Sequence, residues 1–153
     1  MAGMMRGDVV KTESSGAVPL ETILSDGIRH KPDIDAVAVR SGSQVSVMVW
    51  NYHDDSAAAP PAELDMVISG IPPTADRVLL EQYPIDQDHS NSNTAWQEMG
   101  SPQNPSRGQY AKLEAAGQLE LLGSPRWITV RHGTVNLRVS LERDAVSLLR
   151  LGW

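Results

Sequence analysis

The chain has 153 residues, a formal net charge of −6 and no cysteine, and 41% of its residues are hydrophobic against 21% charged. These values fit one soluble globular domain with a modest core. The acidic balance disfavours nucleic acid or an anionic membrane as a partner, because no basic stripe is available to neutralise phosphates. The absence of cysteine excludes disulfides, thiolate metal sites and a cysteine nucleophile.

The first 32 residues are mixed in character. DVVKT favours a strand, Leu20 to Leu24 favours a short helix, and the apolar run Met1 to Met5 is typical of a helix end. No apolar run approaches the roughly 20 residues of a membrane span. MAGMMRGDVV also lacks the apolar centre of a secretory signal, although a signal on a longer parent stays open. We therefore expect a cytoplasmic location.

From Asp33 onward, short strands alternate with Gly- and Pro-rich turns. IDAVAVR and VSVMVWNYH, joined by SGSQ, predict a β-hairpin with Gly42 in its turn. This spacing predicts an all-β fold, an antiparallel β-sandwich. The other predicted strands are Glu63–Ser69, Arg77–Ile85, Pro125–His132, Thr134–Leu141 and Ala145–Trp153.

The second strand of the hairpin is apolar on both faces. One face is all valine, and the other carries Met48, Trp50 and Tyr52. A strand with one solvated face would alternate apolar and polar residues. We therefore expect both faces to be covered, and we assign these three residues to a second-face interface.

A polar excursion separates two of the predicted strands and favours a two-helix insertion at residues 86–119. The first helix has a capping box of Thr94 and Gln97, and the second begins near Ser106 with Gln109 three residues on. Helices this short are unstable alone. We therefore expect the insertion to dock on a partner.

Sequence patterns for catalysis or metal binding are weak. DQDHSNSNTAWQ resembles a calcium loop, but Asn91 stands where the turn needs glycine and Gln97 where it needs glutamate. A polar loop that bonds its own backbone is the better interpretation. The histidines lack zinc-ligand spacing, and no phosphate loop, dinucleotide fingerprint or nucleophile elbow occurs. We expect no metal and no cofactor.

Exposed aromatic side chains would permit stacking on sugars. Trp50 and Tyr52 share a strand face, and Trp96, Tyr110 and Trp127 could join them. Core or interface packing is the commoner fate of large aromatic residues. Sugar binding by this domain alone is therefore the second interpretation of these side chains.

Three stretches resemble the C-terminal region of glycoside hydrolase family 39, the bacterial β-xylosidases. They are Asp33–Asp55, Tyr83–Leu119 and Val146–Trp153, and the most specific part is DHSN, TAW, MGSP and QYAKLEAAGQL in that order. A looser likeness extends to the α-L-iduronidases. The resemblance implies a retaining enzyme whose (β/α)₈ barrel carries two catalytic glutamates, with a β-sandwich packed against the barrel.

The family's acid/base glutamate lies in an Asn-Glu-Pro motif, and this chain contains none. The resemblance therefore implies a bacterial accessory sandwich at residues 33–153, preceded by a barrel-to-sandwich junction at 1–32. No catalytic residue is assigned, and the chain alone is expected to be inactive. The parent would remove terminal β-1,4-xylose from xylo-oligosaccharides.

In such an enzyme the insertion would lie near the barrel face where active-site loops gather. The resemblance then places five residues at the substrate rim or at the barrel interface, where they would either touch sugar or serve structural docking alone. The sequence is also compatible with a free-standing carbohydrate-binding module that uses Trp50 or Trp127, and with a homo-oligomerisation module. The five rim or interface candidates are His89, Ser90, Asn91, Asn93 and Trp96.

Overall fold

The computed structural model describes residues 1–29, 31–55 and 58–153. Within these ranges, eight strands and three α-helices follow a 3₁₀ turn at Ala2–Met4. The strands are β1 (Asp8–Val10), β2 (Asp33–Ser41), β3 (Gln44–Tyr52), β4 (Ala62–Ser69), β5 (Arg77–Ile85), β6 (Arg126–Thr129), β7 (Thr134–Leu141) and β8 (Ala145–Gly152). The helices are α1 (Leu20–Asp26), α2 (Ser92–Glu98) and α3 (Arg107–Ala116).

The strands form two antiparallel sheets of unequal size. The larger has the order β1-β2-β3-β8-β5-β6, and the smaller pairs β4 with β7. Helices α2 and α3 lie in the connection from β5 to β6. The predicted all-β sandwich with a two-helix insertion between strands is confirmed.

The hydrophobic core lies between the two sheets. Val49 and Leu149 of the larger sheet belong to one buried cluster with Leu137 and Val139 of β7. Strand β7 alternates buried and exposed residues along its length, as expected for a strand with one solvated face. In the central strand β8, by contrast, Leu148 and Leu149 are both fully buried although they point to opposite faces.

The face of the larger sheet that points away from β4 and β7 is named the outer face. It carries Met48, Trp50 and Tyr52, because the core valines of β3 occupy the other side. Met48 and Trp50 are half-buried, and Tyr52 is 49% exposed. The second sheet therefore covers one side of β3, and the outer face is covered in part.

The N-terminal segment is built onto the edge of the larger sheet. Strand β1 pairs with β2, and farther along the chain the Ser14 hydroxyl donates to the Ile34 carbonyl. The backbone N–H of Val18 donates to the buried carboxylate of Asp33 at 2.8 Å. Part of the predicted junction segment thus supplies an edge strand and a border of the sandwich.

The predicted bounds of β6 and α1 were wrong. Strand β6 has four residues, not the eight of Pro125–His132, because the chain turns at His132 and Gly133, whose φ angles are +51° and +70°, to enter β7. Helix α1 continues two residues beyond Leu24 and ends before Gly27, whose φ of +71° suits glycine.

Candidate functional site

The helical arm, residues 86–119, begins with a clamp around Asp86. Its Oδ1 accepts the backbone N–H groups of Asp88 at 2.9 Å and His89 at 2.7 Å. The same oxygen lies 2.8 Å from Nδ1 of His89. The predicted polar loop that bonds its own backbone is confirmed at this point. Ser90 then adopts a φ of +52°, a conformation that is uncommon outside glycine.

Asp86 also sets the charge of the histidine. Its hydrogen bond raises the pKa of His89 above the ordinary value, and the negative charges of Asp86, Glu120 and Asp88 act in the same direction against partial burial. Because Nδ1 donates to the carboxylate, the protonated ring keeps Nε2–H as a second donor. Within the described ranges Nε2 has no hydrogen-bond partner, so that donor is available to a partner molecule or to water.

Helix α2 begins earlier than the sequence predicted. Asn91 is the N-cap: its Oδ1 accepts the N–H groups of Asn93 at 2.9 Å and Thr94 at 3.4 Å, while its Nδ2 donates to the Asp86 carbonyl at 2.8 Å. The predicted capping box of Thr94 and Gln97 was wrong. Asn and Thr both cap well, and the extra bond to Asp86 favours the earlier start.

Helix α3 begins as predicted. The Ser106 hydroxyl accepts the Gln109 N–H at 3.3 Å, and the Gln109 side chain accepts the Ser106 N–H at 2.9 Å.

The base of the arm is closed where the Glu120 N–H donates to the Ser90 hydroxyl at 3.2 Å. Neither α2 nor α3 contains a buried residue, and their most extensive contacts are with each other. The arm therefore lacks a core of its own.

An open groove of about 480 Å³ runs between α2 and α3. It combines two aromatic rings with amide, hydroxyl and carboxylate groups. Its lining residues are Ser92, Asn93, Trp96, Tyr110, Leu113 and Glu114.

The predicted rim residues divide into two groups along the arm. His89, Ser90 and Asn91 surround Asp86 at its base, whereas Asn93 and Trp96 line the groove. The indole Nε1 of Trp96 donates to the Pro102 carbonyl at 3.0 Å, so the ring can offer a partner its face but not its N–H.

The outer face meets the arm at one end of the larger sheet. Trp50 pairs across the ladder with Val146, and Val146 pairs with Ile85. Directly opposed residues lie on the same face of a sheet, so these three form a row, and Asp86 follows Ile85 in the chain. The indole N–H of Trp50 donates to Asp33 at 2.8 Å, which fixes the ring in this row.

Sequence reasoning overlooked two features of the site. It treated Asp86 as part of a polar loop that bonds its own backbone and gave it no role toward His89, although a carboxylate three residues before a histidine can reach the ring from an Asx turn. It also gave Glu114 no role, although Glu114 follows Tyr110 by four residues and so shares its helix face.

The described part of the chain lacks two features, a metal-binding cluster and a membrane-spanning helix. Residues 1–29, 31–55 and 58–153 hold no group of three or more His, Asp or Glu side chains arranged to bind a metal ion. In the same ranges, none of the helices has the length and apolar character required to cross a membrane.

A family model described as glycosyl hydrolases family 39 matches residues 3–124. A β-xylosidase of Geobacillus stearothermophilus is 23% identical over 128 residues, which are 84% of this chain and 24% of that protein. The chain thus spans about a quarter of the length of this relative.

Solved structures agree on the fold. The family 39 enzyme of Xanthomonas axonopodis pv. citri superposes with a TM-score of 0.62 at 21% identity, over 76% of this chain and 25% of that one. A monomeric β-xylosidase of Caulobacter crescentus CB15 gives a TM-score of 0.59 at 15% identity, over 83% and 28%.

Proposed function

The chain belongs to the glycosyl hydrolases of family 39, and we propose that it is the accessory β-sandwich of a retaining β-xylosidase. In this proposal a (β/α)₈ barrel outside this chain carries the catalytic glutamates. The complete enzyme removes terminal β-1,4-linked xylose from short xylo-oligosaccharides. The identity to a β-xylosidase, of which this chain spans about a quarter, supports this assignment.

The observation that carries the proposal is the continuity of one incompletely covered surface. The row of Trp50, Val146 and Ile85 leads along the outer face directly to the clamp at Asp86. Tyr52 and Ile85 on this face are exposed large hydrophobic residues. Contiguous exposed apolar surface of this kind is typical of interaction sites, and the barrel is the partner that we propose for it.

The arm adds polar groups to the same surface. His89 offers the unpartnered Nε2 described above, and the exposed Asn93 offers its side-chain amide. We propose that these two side chains contact barrel loops or bound sugar at the rim of the active site. Asp86 and Asn91 hold the arm's first turn in position, so they act through His89 and α2 rather than on the substrate.

Turnover of an aryl β-xyloside tests the assignment. The 153-residue chain alone should give none, because it lacks the Asn-Glu-Pro motif that carries the family's acid/base glutamate. The remainder of the Geobacillus β-xylosidase, produced without the part that matches this chain, should gain thermal stability and turnover when this chain is added.

Two results would contradict the proposal. Turnover by the purified chain alone would contradict the accessory role. No gain on mixing would contradict docking, provided that the relative's own matching part restores activity in a parallel sample. His89→Ala, tested in the mixture with the remainder of the relative, separates the two roles of the arm. Loss of the mixture's turnover with an unchanged melting temperature of the complex indicates contact at the rim. A lowered melting temperature of the complex with unchanged turnover indicates docking.

A further inference from the structure

We propose that the groove between α2 and α3 binds a saccharide, and that it does so in this chain without a catalytic body. This goes beyond the proposed function, in which the arm acts only together with the barrel. The choice of xylo-oligosaccharide as the first ligand to try rests on that function.

The first support is the aromatic character of the groove. Trp96 comes from α2 and Tyr110 from α3, so the groove has a ring on each wall. Tyr110 is 65% exposed, which is unusual for a large aromatic side chain with no partner to cover it. The C–H faces of a pyranose ring are apolar and pack against the electron-rich face of an aromatic ring.

The second support is the set of polar groups beside the rings. Asn93 and Glu114 line the groove, and their side chains have no hydrogen-bond partner among the described residues. An amide both donates and accepts, and a carboxylate accepts twice. Sugar hydroxyls can satisfy all of these groups. A volume of about 480 Å³ lies within the roughly 300–1,000 Å³ of small-molecule sites.

The third support is preorganisation. The bond from Trp96 to the Pro102 carbonyl fixes the indole, and side-chain caps at Asn91 and Ser106 fix the starts of the two helices. A site that is ordered before binding loses less conformational entropy when it binds. The Trp96 indole N–H and the two cap oxygens already have hydrogen-bond partners within the chain. The faces of the aromatic rings and the side chains at the groove edges are therefore left for the ligand.

A second tryptophan, Trp127, offers a poorer site and so provides a matched control. Trp127 on the edge strand β6 is 55% exposed, but the Arg77 guanidinium lies 4.4 Å from its ring centroid and covers one face. Trp127 also lies outside the groove between α2 and α3. Its removal should leave saccharide binding unchanged.

The test uses the full 153-residue chain and titrates xylotriose, and separately cellotriose, while the four tryptophan indole N–H signals are followed by NMR. The Trp96 signal should shift saturably. Tyr110→Ala should weaken binding by about tenfold or more, and Trp127→Ala should not weaken it. Because Tyr110 is mostly exposed, its variant should keep the wild-type melting temperature.

The groove is excluded as a saccharide site if neither trisaccharide shifts Trp96, if Trp127 or Trp50 shifts instead, or if Tyr110→Ala binds as well as wild type. Binding of cellotriose alone supports the groove and contradicts the proposed xylose specificity. Docking is measured independently: a chain that docks on the remainder of the relative but binds no sugar overturns this inference and leaves the proposed function standing.

Discussion

The Nδ1 atom of His89 lies 2.8 Å from Oδ1 and 3.0 Å from Oδ2 of Asp86. This pair stands where the sheet ends and the helical arm begins, and it joins the two surfaces that the proposed partner would contact. The histidine is held at one nitrogen and open at the other, and Asp86 has the largest influence on its charge.

The first prediction concerns the charge of His89. Since the pKa of His89 is raised in the folded chain, the pair contributes its full stability below the pKa of unfolded histidine, about 6.5. That contribution is lost as the pH rises through the raised folded pKa. An NMR titration of the ring should give a pKa above the ordinary value. The amides at the base of the arm should lose protection, relative to unstructured amides at the same pH, as the pH rises.

Asp86→Asn should lower the pKa of His89, because the charged hydrogen bond is its largest cause. Asp88→Asn is the matched control: Asp88 is exposed, donates its own N–H to Asp86 and affects His89 only through its charge. Its effect should be smaller. Equal shifts in the two variants would contradict the clamp.

The second prediction concerns the support of Trp50. Asp33 accepts the Val18 N–H with one oxygen and the Trp50 indole N–H with the other, and it is buried. Asp33→Ala would leave both donors without partners, and we expect it to reduce the free energy of unfolding by about 1–3 kcal/mol. Denaturant unfolding measures this change.

Asp35→Ala provides the control for Asp33. Asp35 lies on the same face of β2, but it is less buried, and its carboxylate accepts the N–H of the adjacent Ala36 at 2.8 Å. The cost of its removal should be smaller. If both variants unfold at the same denaturant concentration, Asp33 does not have the supporting role assigned to it.

The third prediction concerns the stability of the arm. Because α2 and α3 bury no residue, their amides should exchange with solvent much faster than those of the central strand β8. Ser106→Ala removes one half of the capping box and should cost about 1 kcal/mol, confined to α3. Hydrogen exchange followed by mass spectrometry measures both effects. Protection in α3 equal to that in β8 would show that the arm is stable alone.

Much of the fold could be predicted from local sequence patterns. The alternation in β7, the glycine turn between β2 and β3, and the capping box of Ser106 with Gln109 each specify a conformation by short-range chemistry. The order of the sheet could not be predicted in this way. β8 lies between β3 and β5, and only the packing of residues distant in sequence determines that position.

The candidate site was predictable to a smaller extent. Every residue from Ser90 to Thr94 is of a type that caps helices well, and the carbonyl of Asp86 selects Asn91. The groove depends on Trp96 and Tyr110 lining the same space from separate helices. Neither relationship has a sequence signal of its own, since each depends on how the arm folds back on itself.

The most direct test of the docking account is the binding of this chain to the remainder of the Geobacillus β-xylosidase, measured by analytical ultracentrifugation with charged substitutions on opposite sides of the sandwich. Tyr52→Lys and Ile85→Lys place a charge on the outer face, whereas Val67→Lys does so at a 68% exposed position of β4. The account predicts a complex for wild type and Val67→Lys, and its loss for the two outer-face variants. Equal binding by all four proteins, or loss with Val67→Lys alone, would contradict it.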